Sequence, residues 1–157
     1  MALDVPITSE WLAGACPDLE ARPGPAGLSL RGRLSRSGDD FLLLGHIGGT
    51  LETTCARCLE PARLAVDAQL TVTFVPADDD ELDDDADVVA FAGNQIELDD
   101  EVRDEILLAI PVQVLCTESC RGLCPICGGN RNVVPCECEA ERRESASRFA
   151  ALGKLKI

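Results

Sequence analysis

Nine cysteines stand in the chain: Cys16, Cys55, Cys58, Cys116, Cys120, Cys124, Cys127, Cys136 and Cys138. Two pairs have CxxC spacing, Cys55-Ala-Arg-Cys58 and Cys124-Pro-Ile-Cys127. A turn of that length brings two sulfurs onto one metal ion while its backbone amides point at the thiolates. Each pair supplies two of the four ligands that a closed tetrahedral zinc site requires. Cys136-Glu-Cys138 complements the second pair. The run CPICGGNRNVVPCEC has the texture of a zinc ribbon, with glycines after the knuckle, a turn at residues 130–132 and then the returning sulfurs. Cys116 and Cys120, separated by a helical turn or a tight loop, then remain to complete the set begun by Cys55 and Cys58. A second partition is also open. It puts Cys116, Cys120, Cys124 and Cys127 in one local site and leaves Cys55, Cys58, Cys136 and Cys138 to share another or stay free. Two sets of four imply two zinc ions, with Cys16 left over as a partly buried thiol.

Other chemistries fit less well. Thioredoxin-like redox catalysis places CxxC at a helix N-terminus after a strand, whereas Cys55 lies between two strand-like runs. The single histidine, His46, sits within an apolar run and reads as a satisfied core group. A catalytic zinc would therefore lack its usual imidazole and its base. Neither GxxxxGK[ST] nor GxGxxG occurs, so the sequence offers no phosphate cradle. The reading is a non-enzyme with no small-molecule substrate.

Composition bounds the partners. The 157 residues carry 14 basic and 28 acidic groups, a net charge of −14. Residues 1–115 hold 7 basic and 23 acidic groups (net −16), and residues 116–157 hold 7 and 5 (net +2). An acidic whole repels phosphate at long range, which leaves only a local basic face near the C-terminus for nucleic acid. No run approaches the ~18 apolar residues of a membrane span. The first residues, MALDVPITSEWLAG, lack the basic start and apolar core of a secretory signal. The expected location is therefore cytoplasmic, where clustered cysteines are thiolates rather than cystines.

An α+β fold must position these sulfurs, as an antiparallel β-meander or small open barrel with one amphipathic helix and a C-terminal zinc-knuckle segment. Residues 1–115 read as an acidic β-rich body, and residues 116–157 as a cysteine-rich segment with a final helix packed onto it. The first 27 residues, punctuated by Pro17, Pro23 and Pro25, read as a surface wrap or a short helix and loop. Strands are expected from Leu28, over 41–47 and over 50–54, with Gly48-Gly49 as a turn. Strict alternation of Leu64, Val66, Ala68, Leu70, Val72 and Phe74 marks the clearest strand. Residues 78–87 hold eight carboxylates in ten positions and read as a solvated loop. Strands at 88–92 and 95–98 precede a helix over 99–110, capped by Asp99 or Asp100, with Val102, Ile106, Leu107 and Ile110 as its apolar stripe. Pro111 ends it.

Five ordered blocks resemble one family. They are CARCLEP (55–61), IELD…EILLAIP (96–111), CTESCRGLCPICGGN (116–130), CEC (136–138) and SRFAALGKLK (147–156). Together they are similar to the YceD family, the large ribosomal RNA subunit accumulation proteins of bacteria and plastids, over roughly residues 28–156. Ser147 and Arg131 depart from the usual family residues. The resemblance implies a non-enzymatic factor for accumulation or processing of large-subunit (23S) rRNA. It would act in ribosome biogenesis by binding that RNA or its precursor or by aiding precursor handling, with ribosomal proteins or processing enzymes as further partners.

Arginines on the knuckles give a physical route to RNA. Arg57, Arg121 and Arg131 project from them, and Arg148 with Arg142, Arg143, Lys154 and Lys156 would extend a basic stripe. A guanidinium forms paired hydrogen bonds with phosphate. The blander role for each arginine is to offset the −2 charge of a four-thiolate zinc site or to pair with a nearby glutamate. Four Phe, one Trp and no Tyr are too few aromatics for a base-stacking sheet. The competing reading is a zinc-stabilised protein-interaction scaffold that binds a basic ribosomal protein or processing enzyme through its acidic face.

Overall fold

The computed structural model describes residues 1–77, 88–136 and 138. Its elements are β1 (Ala2–Pro6), α1 (Ser9–Ala15), β2 (Arg22–Ser37), β3 (Asp40–Thr54), β4 (Pro61–Pro76), β5 (Val88–Phe91) and α2 (Asp99–Ala109). The strands form one open sheet in the order β1-β2-β3-β4-β5. The first four are antiparallel, and β5 runs parallel to β4. The sheet is therefore mixed, a meander with one parallel edge strand. The expected acidic loop 78–87 and the C-terminal helix lie outside the described residues.

Period-two alternation builds the core. Val66, Ala68, Leu70, Val72 and Phe74 of β4 are buried, and the intervening Arg63, Ala65, Asp67, Gln69 and Thr71 are exposed. Register puts the buried residues beside Leu43, Ile47 and Leu51 of β3, which face Leu28 and Leu30 of β2. The helix α2 covers this face with Val102 and Ile106, the latter fully buried.

Several expected boundaries shift. Residues 1–27 contain a strand and a helix, and β2 begins at Arg22. In α1, Thr8 accepts a hydrogen bond from the Trp11 amide (3.2 Å) and caps the helix, while Leu12 enters the core. Gly48-Gly49 is not a turn: β3 runs through it. A bulge in β2 between Pro23 and Leu28 presses the Gly27 carbonyl against Gly49, whose φ is +148° and where a Cβ would sit 2.2 Å from that oxygen. Only glycine fits so close an approach.

The N-cap of α2 is Leu98, without a side-chain bond, rather than Asp99 or Asp100. Asp99 instead accepts the Trp11 indole N–H at 2.8 Å, tying α1 to α2. Residues 95–98 are irregular, not a strand. His46 is also not a core group. It lies on the outward face of β3, half-exposed, with Nε2 2.6 Å from Asp67 on β4. No helix among the described residues is long and apolar enough to cross a membrane.

Candidate metal centre

The β3–β4 connection and the segment after α2 form two turns of the same design. In the first, the Cys55 amide donates to the Glu60 carbonyl (2.8 Å), the Leu59 amide to the Cys55 carbonyl (3.0 Å), and the Arg57 amide to the Cys55 sulfur (3.4 Å). In the second, the Cys124 amide donates to Gly129 (2.8 Å), the Gly128 amide to Cys124 (2.9 Å), and the Ile126 amide to the Cys124 sulfur (3.4 Å). The residue after the second cysteine is left-handed in both, Leu59 at φ +62° and Gly128 at φ +71°. Amides aimed at a sulfur favour its thiolate, as the outer sphere of a metal site requires.

Eight sulfurs gather into two sets, Cys55, Cys58, Cys116 and Cys120, and Cys124, Cys127, Cys136 and Cys138, with all sulfurs of a set within 4.8 Å of one another. None is in a disulfide. The alternative grouping of Cys116 and Cys120 with Cys124 and Cys127 is not the one formed, because the segment after α2 folds back onto the first turn. The Ala56 amide donates to the Val114 carbonyl (2.9 Å) and the Leu123 amide to the Arg57 carbonyl (2.9 Å). Cys55, Cys58 and Cys120 are buried with Ala62, flanked by Val114, Leu115 and Leu123, in a cluster separate from the sheet core. Cys16 joins neither set and is buried in the main core.

The donor geometry fits a tetrahedral ion. Four sulfurs about 2.3 Å from a central zinc stand about 3.8 Å apart. The Cys55–Cys120 and Cys58–Cys116 sulfurs are separated by 3.7 and 3.5 Å. Closed four-sulfur sets of this kind hold zinc structurally and leave no open coordination position. Neither turn lies at a helix N-terminus, so the arrangement a dithiol oxidoreductase uses is missing from both.

The thiols of each set compete for negative charge. Burial raises Cys55, but amide donors from Cys116, Arg57 and Cys58 outweigh it and bring the thiol down to about 6. The Cys127 and Ile126 amides lower Cys124 to about 6. Cys58 rises to about 12: the Glu60 amide opposes the rise, and burial with the neighbouring sulfurs overcomes it. Cys138 is pushed up to about 12 by the Cys127 sulfur, burial and Cys136. Four thiolates packed this closely would repel one another, and a cation at the centre would offset that repulsion.

The arginines are distributed unevenly around these turns. The Arg57 guanidinium donates to the Cys120 carbonyl at 3.1 Å, so it braces the first set. Arg121 is exposed, and its side chain has no hydrogen-bond or ion-pair partner among the described residues. The Arg131 amide donates to the Gly122 carbonyl (3.0 Å), and Gly122 packs against the Arg57 backbone. All three therefore belong to one small surface. Arg148 lies outside the described residues.

Residue spacing did not single out Asn132. Its amide donates to the Cys120 sulfur at 3.3 Å and to Asn130 Oδ1 at 3.0 Å, and its Oδ1 accepts the Arg121 amide at 2.8 Å. Burial raises the Cys120 thiol, and Asn132 leads the donors that bring it below its usual range. Residues 130–132 read only as a turn from sequence, and nothing local marked one of the asparagines as a donor to a sulfur twelve residues back.

The family model described as large ribosomal RNA subunit accumulation protein YceD matches residues 43–156. Uncharacterized proteins of Mycobacterium bovis and Mycobacterium tuberculosis are each 32% identical over 103 residues, covering 64% of this chain and 50% of theirs. A Zea mays protein named large ribosomal RNA subunit accumulation protein YCED homolog 1, chloroplastic, is 26% identical over 140 residues, 70% of this chain and 48% of its own. The chain spans about half the length of the curated relatives it matches. No solved structure matches. Since the matched span runs from within β3 past the last sulfur, well over half of the sequence, the chain belongs to the YceD family of large ribosomal RNA subunit accumulation proteins.

Proposed function

We propose that this protein is a non-enzymatic ribosome-biogenesis factor that supports accumulation of large-subunit rRNA by binding the RNA or its precursor. Two zinc ions, one held by Cys55, Cys58, Cys116 and Cys120 and the other by Cys124, Cys127, Cys136 and Cys138, fix its binding face. Zinc supplies cross-linking here. It joins the β3–β4 turn to the segment after α2 and makes a rigid platform of otherwise short, irregular chain. The observation that carries the reading is the convergence of Arg57, Arg121 and Arg131 on the two sulfur-gathered turns, through the Leu123–Arg57 and Arg131–Gly122 backbone bonds. These bonds fix the backbone from which the three arginines extend; guanidinium groups suit a phosphate backbone, and a preformed backbone lowers the entropic penalty of binding. The strongly acidic body, net −16 over residues 1–115, confines RNA to this face.

In cells, Arg121→Ala with Arg131→Ala should abolish crosslinking to large-subunit rRNA while the purified protein retains two zincs. In vitro, each lost phosphate contact reduces the salt slope of RNA binding by about 0.7 for single strands. Full crosslinking by the double variant overturns the RNA reading. Loss of co-purified protein on shortening the 78–87 segment, with crosslinking unaffected, would favour an acidic interaction scaffold instead.

A further inference from the structure

Asn132 sits between Cys127 and Cys136, inside the loop that the second sulfur set closes, yet its side chain reaches the first set. Which way its amide points follows from its neighbours. The Arg121 backbone N–H requires an acceptor at one end, and Asn130 Oδ1 and the Cys120 sulfur require donors at the other. Reversing the amide would set its oxygen against an oxygen and a sulfur and leave the Arg121 N–H facing an NH2 group.

Two further bonds and a strand bridge hold it there. The Asn132 backbone N–H donates to Asn130 Oδ1 (3.0 Å), the Asn130 side-chain NH2 donates to Glu60 Oε1 in the first knuckle (3.4 Å), and residues 123 and 130 form an antiparallel bridge. The hairpin around the second knuckle thus lies on the first knuckle and carries a donor to one of its sulfurs. We propose that Asn132 is a positioning residue for the first metal site, delivered by closure of the second, so that the two sites take up metal with positive coupling. This rests on the two-site metal reading above.

The physical basis is conformational. With Cys136 and Cys138 bound beside Cys124 and Cys127, the chain from 128 to 136 is tethered at both ends, and the ordering entropy of the Asn130–Asn132 turn is already spent. The first site then gains a charge-assisted N–H···S bond without that penalty. With the second site open, Asn132 must be ordered at the first site's expense. Thermodynamic linkage requires the effect to be reciprocal, so loading the first site tightens the second by the same factor.

The test uses the full chain, purified anaerobically, stripped and titrated with Co(II) and separately with ¹¹³Cd(II). Asn132→Asp keeps an acceptor for the Arg121 amide and removes the donor to Cys120; Asn132→Ala removes both. Each variant should raise the first-site dissociation constant by about 10- to 100-fold, the range seen when an outer-sphere partner of a metal ligand is lost. Each should also shift the ¹¹³Cd resonance of the first site most. Opening the second site with Cys136→Ser and Cys138→Ser should weaken the first comparably, and adding Asn132→Ala to that background should do little more, because both act by one route. A melt of the sheet monitors folding separately.

Unchanged first-site constants and ¹¹³Cd shifts in both Asn132 variants overturn the proposal, as does a first site indifferent to opening of the second. A wild-type chain that binds fewer than two ions overturns the underlying metal reading instead.

Discussion

The two knuckles share their hydrogen bonds but not the residue at their left-handed position, which allows a paired substitution. At Leu59 an L-residue with φ +62° carries about 1–2 kcal/mol of steric penalty. The residue is 66% exposed, so about a third of the ~1.5–3 kcal/mol for a fully buried leucine is at stake, or about 0.5–1 kcal/mol. Glycine at this position relieves the strain and adds about 0.5–1 kcal/mol of chain entropy loss. Leu59→Gly should therefore be neutral within about 1 kcal/mol, less than a tenfold change in metal retention.

At Gly128 the opposite substitution has a simpler effect. A Cβ there would meet nothing within 4 Å, so Gly128→Ala adds conformational strain alone. The ~1–2 kcal/mol penalty, less about 0.4–1 kcal/mol from stiffening the unfolded chain, predicts a net loss centred at ~0.8 kcal/mol. The second site should then hold its metal about 2- to 5-fold less tightly. Competition of each zinc-loaded variant against a chromophoric chelator, site by site, measures both. If Leu59→Gly loosens the first metal by more than tenfold, side-chain packing rather than backbone conformation holds that turn. A Gly128→Ala variant as tight as wild type would show the left-handed position to be dispensable.

Chelation should divide the molecule unevenly. Among the described residues, the sheet core and the cluster around Cys55, Cys58 and Cys120 share no buried residue, so metal removal should leave the far-UV signal of the sheet largely intact. Amide exchange protection should be lost over residues 55–60 and 114–136; a global two-state collapse on chelation would contradict this. A different perturbation concerns Glu52, whose carboxyl lies between Arg63 (3.0 Å) and Arg22 (3.1 Å) and is held below its usual range by hydrogen bonds from Arg63 and then Arg22. Because the folded state depresses this group, its contribution is present above the ordinary glutamate range near 4.3 and is lost as pH falls through the lower, folded value. Glu52→Gln should flatten the acid limb of a stability–pH curve and leave neutral-pH metal content unchanged. An acid limb identical to wild type would show that the two ion pairs contribute nothing.

How far the sequence carried the fold depends on whether the governing interaction is local. The alternation from Leu64 to Phe74 is a period-two signal spread over eleven residues, and β4 follows it. Four of the five residues of β1 are exposed and Leu3 alone is half-buried, so Ala2–Pro6 offers no apolar period to find. The direction of β5 depends on pairing Val88 with Thr73, which no nearby pattern encodes. His46 departs from the core position its sequence suggests because its apolar neighbours resemble a strand buried on both faces, whereas this sheet buries one and leaves Leu44 and His46 on the open side.

The sulfur sets show the same division. CxxC states which two sulfurs converge, because the turn is local. The joining of Cys55 and Cys58 with Cys116 and Cys120 depends on chain folding back after α2, and spacing left it open. Leu59 illustrates why even a local motif can be partly hidden. The knuckle's defining contacts are backbone to backbone or backbone to sulfur, so they constrain φ at the next residue and not its side chain. Gly128 announces that constraint in the sequence and Leu59 conceals it, although the two turns are built alike. An exposed leucine held in a left-handed conformation beside buried thiols is therefore best understood as a consequence of sulfur placement. The turn is fixed by what Cys55 must accept from the chain around it, and residue 59 takes the conformation that remains.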